Sequence, residues 1–154
     1  MADWLEAFLS LRVHVYVRFG KWDELIALPL PTDTKIYCFN TAITHYGHGI
    51  AYAVLKHTEL ADEAFRQFEE AVKLVGETRN MMNNKCSDIL NVAREMLKGE
   101  IEYRKGNVDV AFEALRNAIG LEDHLPYDEP WGWSTFPLPS CNFCLSGADD
   151  SVLY

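Results

Sequence analysis

His45 and His48, in the run HYGHG, are three residues apart and could act together chemically. On a helix that spacing puts both imidazoles on one face, where they could occupy two positions around a metal ion. No third ligand falls at a matching spacing, and Gly47 and Gly49 interrupt the helix there, so packing or a surface contact is the expected role. Cys141 and Cys144 form a C-x-x-C pair of the kind that binds zinc or cycles redox. It lacks a second pair, a preceding strand and a helix start, so a chance pair in a tail is expected. Glu122, Asp123, Asp128 and Glu129 offer carboxylates for acid–base work. Pro126 and Pro130 put them in a loop, where capping or plain solvation is the expected role. Trp131 and Trp133 could form a binding platform, but their expected role is to pin that loop onto the preceding helices. There is no glycine-rich phosphate loop after a strand, no nucleophile elbow and no Ser or Cys placed beside a base. No catalytic residue, metal or cofactor is therefore expected.

The elements that must position these residues are read from apolar periodicity. The most regular stretch is 84–120, which reads as two amphipathic helices joined at Lys105, Gly106 and Asn107. Val108, Ala111, Phe112, Leu115, Ala118 and Ile119 stripe the second, and Ile89, Val92, Ala93, Met96 and Leu97 the first. Gly99 and Ala111 are small where two helices must approach closely. Gly106 can take positive φ at no steric cost, and Asn107 can cap the next helix. Upstream, the pattern predicts helices over 4–19, 22–27, 35–57 and 60–75. The alternation of Val13, Val15 and Val17 raises a strand reading, which the surrounding helical pattern outweighs. Pro29 and Pro31 stop the second helix. Two glycines inside the third, Gly47 and Gly49, point to a close neighbour or a local break. In the fourth, Asp62–Arg66 and Glu69–Lys73 are acid-before-base pairs at i, i+4. Residues 76–84 read as a polar connection.

Composition narrows the class. The chain has 154 residues, 49% of them hydrophobic, which fits one domain with a sizeable core. A net charge of −9 argues against nucleic acid and anionic membranes as partners, because both need a basic face. No apolar run approaches the ~18 residues of a membrane span. The N-terminus lacks the basic start and cleavage site of a signal peptide. Four cysteines, with Cys38 and Cys86 inside helical segments, make a reducing, cytoplasmic setting the simplest expectation.

The segments RFGKWDELIAL, KHTELADEAFRQFEEAV and YRKGNVDVAFEALRNAI also align, each with a turn before a helix. In this register Trp22, Ala61 and Val108 are equivalent, as are Leu25, Ala64 and Ala111, with Phe68 matched to Leu115 and Ala71 to Ala118. The spacings of 39 and 47 residues exceed the roughly 34 of a tetratricopeptide repeat, so the connections would be lengthened.

With RFGKWDELIALPLP, HYGHGIAYAVLK, LKGEIEYRKGNVDVAFEALRNAIGLED and above all LPYDEPWGW at 125–133, the chain resembles the tetratricopeptide repeat proteins. It is similar, more narrowly, to an uncharacterised group bearing the LPYDEPWGW stretch. The resemblance covers about 11–133. It implies an all-α right-handed superhelix of stacked antiparallel hairpins, about three here, over 1–133, with a concave face for a partner protein or peptide. It implies no reaction. The family's carboxylate-clamp use finds little support, because the first helices offer His14, Ala53 and Glu100 near the relevant positions. The concave face would include Tyr16, Tyr37, His45, His48, Tyr52 and Tyr103, which offer contact area with a polar tip. The expected function is a non-catalytic interaction scaffold. The alternatives are metal binding through His45 and His48, or a truncated product without a function of its own. The family continues into further hairpins, whereas 134–154 has no helical period and is expected to be an irregular, disordered tail. Loss of the next hairpin would uncover Phe112, Leu115 and Ile119, inviting cover by Phe136, Leu138 and Phe143, or homo-oligomers.

Overall fold

The structure, a computed structural model, describes residues 6–128. Expectations for Cys141, Cys144, Glu129, Trp131, Trp133, the tail over 134–154 and its cover by Phe136, Leu138 and Phe143 lie outside the described residues. Within them the chain is all-α apart from one small ladder. A 3-10 segment, Glu6–Ser10, leads into α1 (Leu11–Arg18) and α2 (Trp22–Ile26). Then come α3 (Cys38–Val54) and α4 (Thr58–Val72). After β1 (Asn80–Met81) and β2 (Asn84–Lys85) follow α5 (Cys86–Arg104) and α6 (Val108–Asp123).

The valine alternation resolves as helix, with Val13 and Val17 buried four apart and Val15 facing solvent. The connection over 76–84 is more ordered than its polarity suggests. Asn80 pairs with Lys85 and Met81 with Asn84 in an antiparallel ladder, turned through Met82 at φ 54°. Glu6 secures the N-terminal segment to this region: it is buried and ion-paired with Arg79, which also donates to the Ile36 carbonyl at 3.0 Å. Burial raises the Glu6 pKa, and the Arg79 guanidinium opposes that rise.

Three tight turns link the consecutive helices, and they share one geometry. At Gly20, Lys56 and Gly106, φ is 64°, 64° and 88°. The next residues, Lys21, His57 and Asn107, have φ of −84°, −89° and −85° and ψ of 65°, 65° and 64°. Each of the three donates its backbone N–H back to the preceding helix, to the carbonyls of Tyr16, Tyr52 and Glu102 at 2.8–2.9 Å. This is the Schellman closure, which satisfies carbonyls the helix end would orphan. Asn107 occupies the expected cap position, but its side chain does not cap α6. It donates instead to Glu102 at 2.7 Å, helping to hold that carboxyl below its usual range.

The shared turn corrects the alignment of the repeated segments. Trp22, Thr58 and Val108 open the second helices, so Leu25, Ala61 and Ala111 are equivalent and all are fully buried. The middle segment slides by three residues from the sequence register, and Phe65 rather than Phe68 matches Leu115.

The glycines inside helices mark close approach rather than a break. A Cβ on Gly47 would lie 2.7 Å from Val13 and 2.9 Å from Leu25. One on Gly49 would lie 2.7 Å from Leu97, and one on Gly99 2.7 Å from Leu115 and 3.2 Å from the Ala111 carbonyl. Leu115 is therefore buried against Gly99 and is not part of an uncovered face; Phe112 and Ile119 are half-buried. The largest fully buried side chains, among them Tyr46, Phe39, Phe68, Leu25 and Leu97, join α1 through α6 in one core. On α4, Asp62 and Glu69 do not make the expected pairs within the helix. They reach across to α5, Asp62 to Lys105 at 2.7 Å and Glu69 to Arg94 at 2.5 Å, while Arg66 and Lys73 pair with Glu63 and Glu70.

Candidate functional site

α2 begins at the same turn as α4 and α6 but runs five residues against their fifteen and sixteen. Pro29 and Pro31 cause this, since a proline cannot donate to the helix and its ring clashes with the preceding turn. The chain continues instead as an irregular linker that ends in a turn before α3. Asp33 steadies it, its Oδ1 accepting from the backbone N–H of Lys35 and Ile36 at 3.0 and 2.9 Å. Beside the linker lies an open groove of about 620 Å³. Leu30 and Thr34 of the linker form one wall, Thr41 and His45 of α3 a second, and α4 the third. From α4 come Glu63, Arg66, Gln67, Glu70 and Ala71, with Leu74 just past its end.

His45 is the most unusual group there. It is 9% exposed, and its Nδ1 is buried without a hydrogen-bond partner. Burial, and the neighbouring His48, lower its pKa and favour the neutral ring, whose Nδ1 accepts or donates according to tautomer. The same turn geometry makes Glu95 of α5 the counterpart of His45, and Glu95 Oε2 is likewise buried and unpartnered. Polar groups left unsatisfied at matching positions cost stability in the free protein.

The other expected face residues divide. His48 meets His45 edge to face at 6.2 Å between ring centres, but its Nε2 is engaged by the Leu28 carbonyl at 3.0 Å. Tyr16, Tyr52 and Tyr103 are half-buried and pack on the core. Tyr16 takes a hydrogen bond from Arg12 at 3.1 Å, and Tyr103 lies under the Arg104 guanidinium at 5.6 Å. Tyr37 sits exposed just before α3. Of the six, His45 lines the groove; its remaining walls come from residues that sequence reasoning passed over. Among the described residues, no group of three or more His, Cys, Asp or Glu converges as a metal ion would require.

Asp128 overturns its expected role as a solvated or capping acid. It is buried, and its carboxylate accepts from the Asn83 backbone N–H at 2.9 Å, the Asn84 amide at 3.3 Å and the Asn83 amide at 3.4 Å. The Asn83 and Asn84 amides also donate to the Tyr127 and Pro126 carbonyls, both at 3.1 Å. The first residues of the LPYDEPWGW stretch thus strap onto the turn before α5. The signal was the Asn83-Asn84 pair, whose partners lie more than forty residues away. Glu122, at the end of α6, has its pKa pushed up to about 7 by burial and by Asp123.

No family model, curated protein or solved structure matches the chain. Among the described residues, no helix is long and apolar enough to cross a membrane.

Proposed function

We propose that the chain is a non-catalytic interaction module of the tetratricopeptide-repeat type, holding a partner peptide or protein. The observation that carries this reading is the groove between the linker, α3 and α4, with the unpartnered Nδ1 of His45 in its wall. Pockets for ligands combine apolar lining with a few placed polar groups, and Leu30, Ala71 and Leu74 stand beside Thr34, Thr41, Gln67 and His45. The repeat reading is supported by the shared turn at Gly20, Lys56 and Gly106 and by small residues set against large ones at Gly47, Gly49 and Gly99.

The test is selection of peptides from a displayed random library on the full chain, followed by fluorescence anisotropy. Selected peptides should bind at micromolar Kd, about −8 kcal/mol. Thr34→Trp, which plugs the groove from the exposed linker, should weaken them by about tenfold or more. Failure to enrich any binder, or binding indifferent to the plug, overturns the proposal.

A further inference from the structure

The geometry points to a basic amphipathic helix, contributed by a partner protein, as the occupant of the groove beside α4. This deepens the interaction-module reading and rests on it. The shape argument begins with α2. All three second helices leave the same turn, and α4 and α6 continue for fifteen and sixteen residues, whereas prolines end α2 at Ile26. Among the described residues, no helix of the first pair lies along the surface that α3 and α4 present beyond that point. The linker covers one edge, and Leu30 and Leu74 remain 41% and 52% exposed. A helix from outside would bury these two side chains and Ala71 with the apolar stripe that its own period provides.

The charge argument is independent of shape. α4 carries Glu59, Asp62, Glu63, Glu69 and Glu70 against Arg66, with Lys73 at its C-terminal cap, and the whole chain is at −9. Asp62 and Glu69 are committed to α5, leaving Glu63 and Glu70 on the groove wall. Their pairings with Arg66 and Lys73 are solvent-exposed contacts within α4, which exchange readily for others. Seven residues apart, the two carboxylates are spaced about 10 Å along the helix. A partner helix meets that spacing with Lys or Arg at i and i+7 and apolar residues between. His45 Nδ1 adds another unpartnered polar atom, which in the Nε2-protonated tautomer accepts a side-chain N–H. Electrostatic complementarity of this kind sets partner choice and association rate.

The experiment uses the full chain and two synthetic amphipathic helices of about 15 residues, acetylated and amidated. They share a leucine stripe and differ in Lys or Glu at i and i+7. Fluorescence anisotropy should show the Lys peptide binding at least about tenfold more tightly than the Glu peptide, with affinity falling as salt rises. The double variant Glu63→Lys/Glu70→Lys, altered only on the exposed face of α4, should reverse the preference. Equal binding of the two peptides, no binding of the Lys peptide, or a preference unchanged by the charge swap each overturns the basic-helix assignment. If library-selected peptides of other chemistry bind the unaltered groove and are weakened by Thr34→Trp, the module reading survives that failure; if none binds, both fall.

Discussion

The first and last helix pairs start from one turn and end as different objects. α1 and α2 close through Gly20, α5 and α6 through Gly106, both at positive φ and with near-identical angles at the following Lys21 and Asn107. Yet α2 buries Leu25 alone, while α6 buries Ala111, Ala114, Leu115 and Ala118. The large residue also points differently. Leu25 drives into Gly47 of the following helix α3, whereas Leu115 drives into Gly99 of its own partner α5. A turn is thus a local device that any segment can reuse, and what the pair becomes depends on how long the second helix runs. Where prolines cut it short, Leu25 is its one fully buried side chain, with Trp22 and Ile26 packed on the core beside it, and a groove lies along the linker that follows.

Leu25→Ala should break the first pair by the largest margin, costing about 2–5 kcal/mol because the site cannot collapse around Gly47. Ala111 already occupies the equivalent position in the last pair, so chemical denaturation of the two regions, followed by amide exchange, should show the loss concentrated in α1–α3. The pairs should also respond oppositely to pH. His14 of α1 is buried, and burial depresses its pKa to about 4. The fold favours the neutral ring, so this stability is complete above pH 6.5 and lost as pH falls from there toward 4, about 3 kcal/mol in all. Glu122 runs the other way: with its pKa raised to about 7, stability is complete below pH 4.5 and declines as pH rises through 7. The two windows overlap and offset one another in the native chain, so urea midpoints across them should fall with rising pH in His14→Gln and rise with pH in Glu122→Gln.

Turn substitutions sharpen the comparison with smaller effects. Gly106→Ala should cost about 1–2 kcal/mol, since φ 88° is strained for any side chain, and Lys56→Gly should recover about 1 kcal/mol at the same turn. Thermal melts that rank the two variants in the other order would remove the case for a shared turn. Smallest of all, Arg66→Ala should shift stability by no more than about 0.5 kcal/mol, because its pair with Glu63 is solvent-exposed. The same substitution would matter for binding, where it frees Glu63 for a partner.

Much of the local architecture was legible in the residues. Gly106 announces positive φ, Pro29 and Pro31 announce the end of α2, and Gly99 announces close helix approach, while Gly47 and Gly49 point to close approach or a break. These are short-range constraints, set by the sterics of one residue and its immediate neighbours. Lys56 shows where that legibility stops. It adopts the turn conformation without being glycine, so the middle segment carried no marker and slid by three residues in the alignment. The ladder over Asn80–Met81 and Asn84–Lys85 was hidden for a related reason, since pairs so short leave no period to read.

What only the tertiary structure decided depends on groups far apart in the chain. Asp128 looked like a loop acid until the Asn83 and Asn84 donors closed over it, and Asp62 and Glu69 looked like helix pairs until α5 supplied Lys105 and Arg94. The groove is the largest such case. His45 could be flagged from its spacing, but Glu63, Gln67 and Glu70 carry no motif, and Leu30 becomes a wall only because the linker runs beside α3 and α4. Sequence determined the helices and their stops, because backbone sterics and apolar period act over a few residues. The packing of those helices determined which polar groups were left facing one another, because burial and hydrogen bonding are properties of the assembled core.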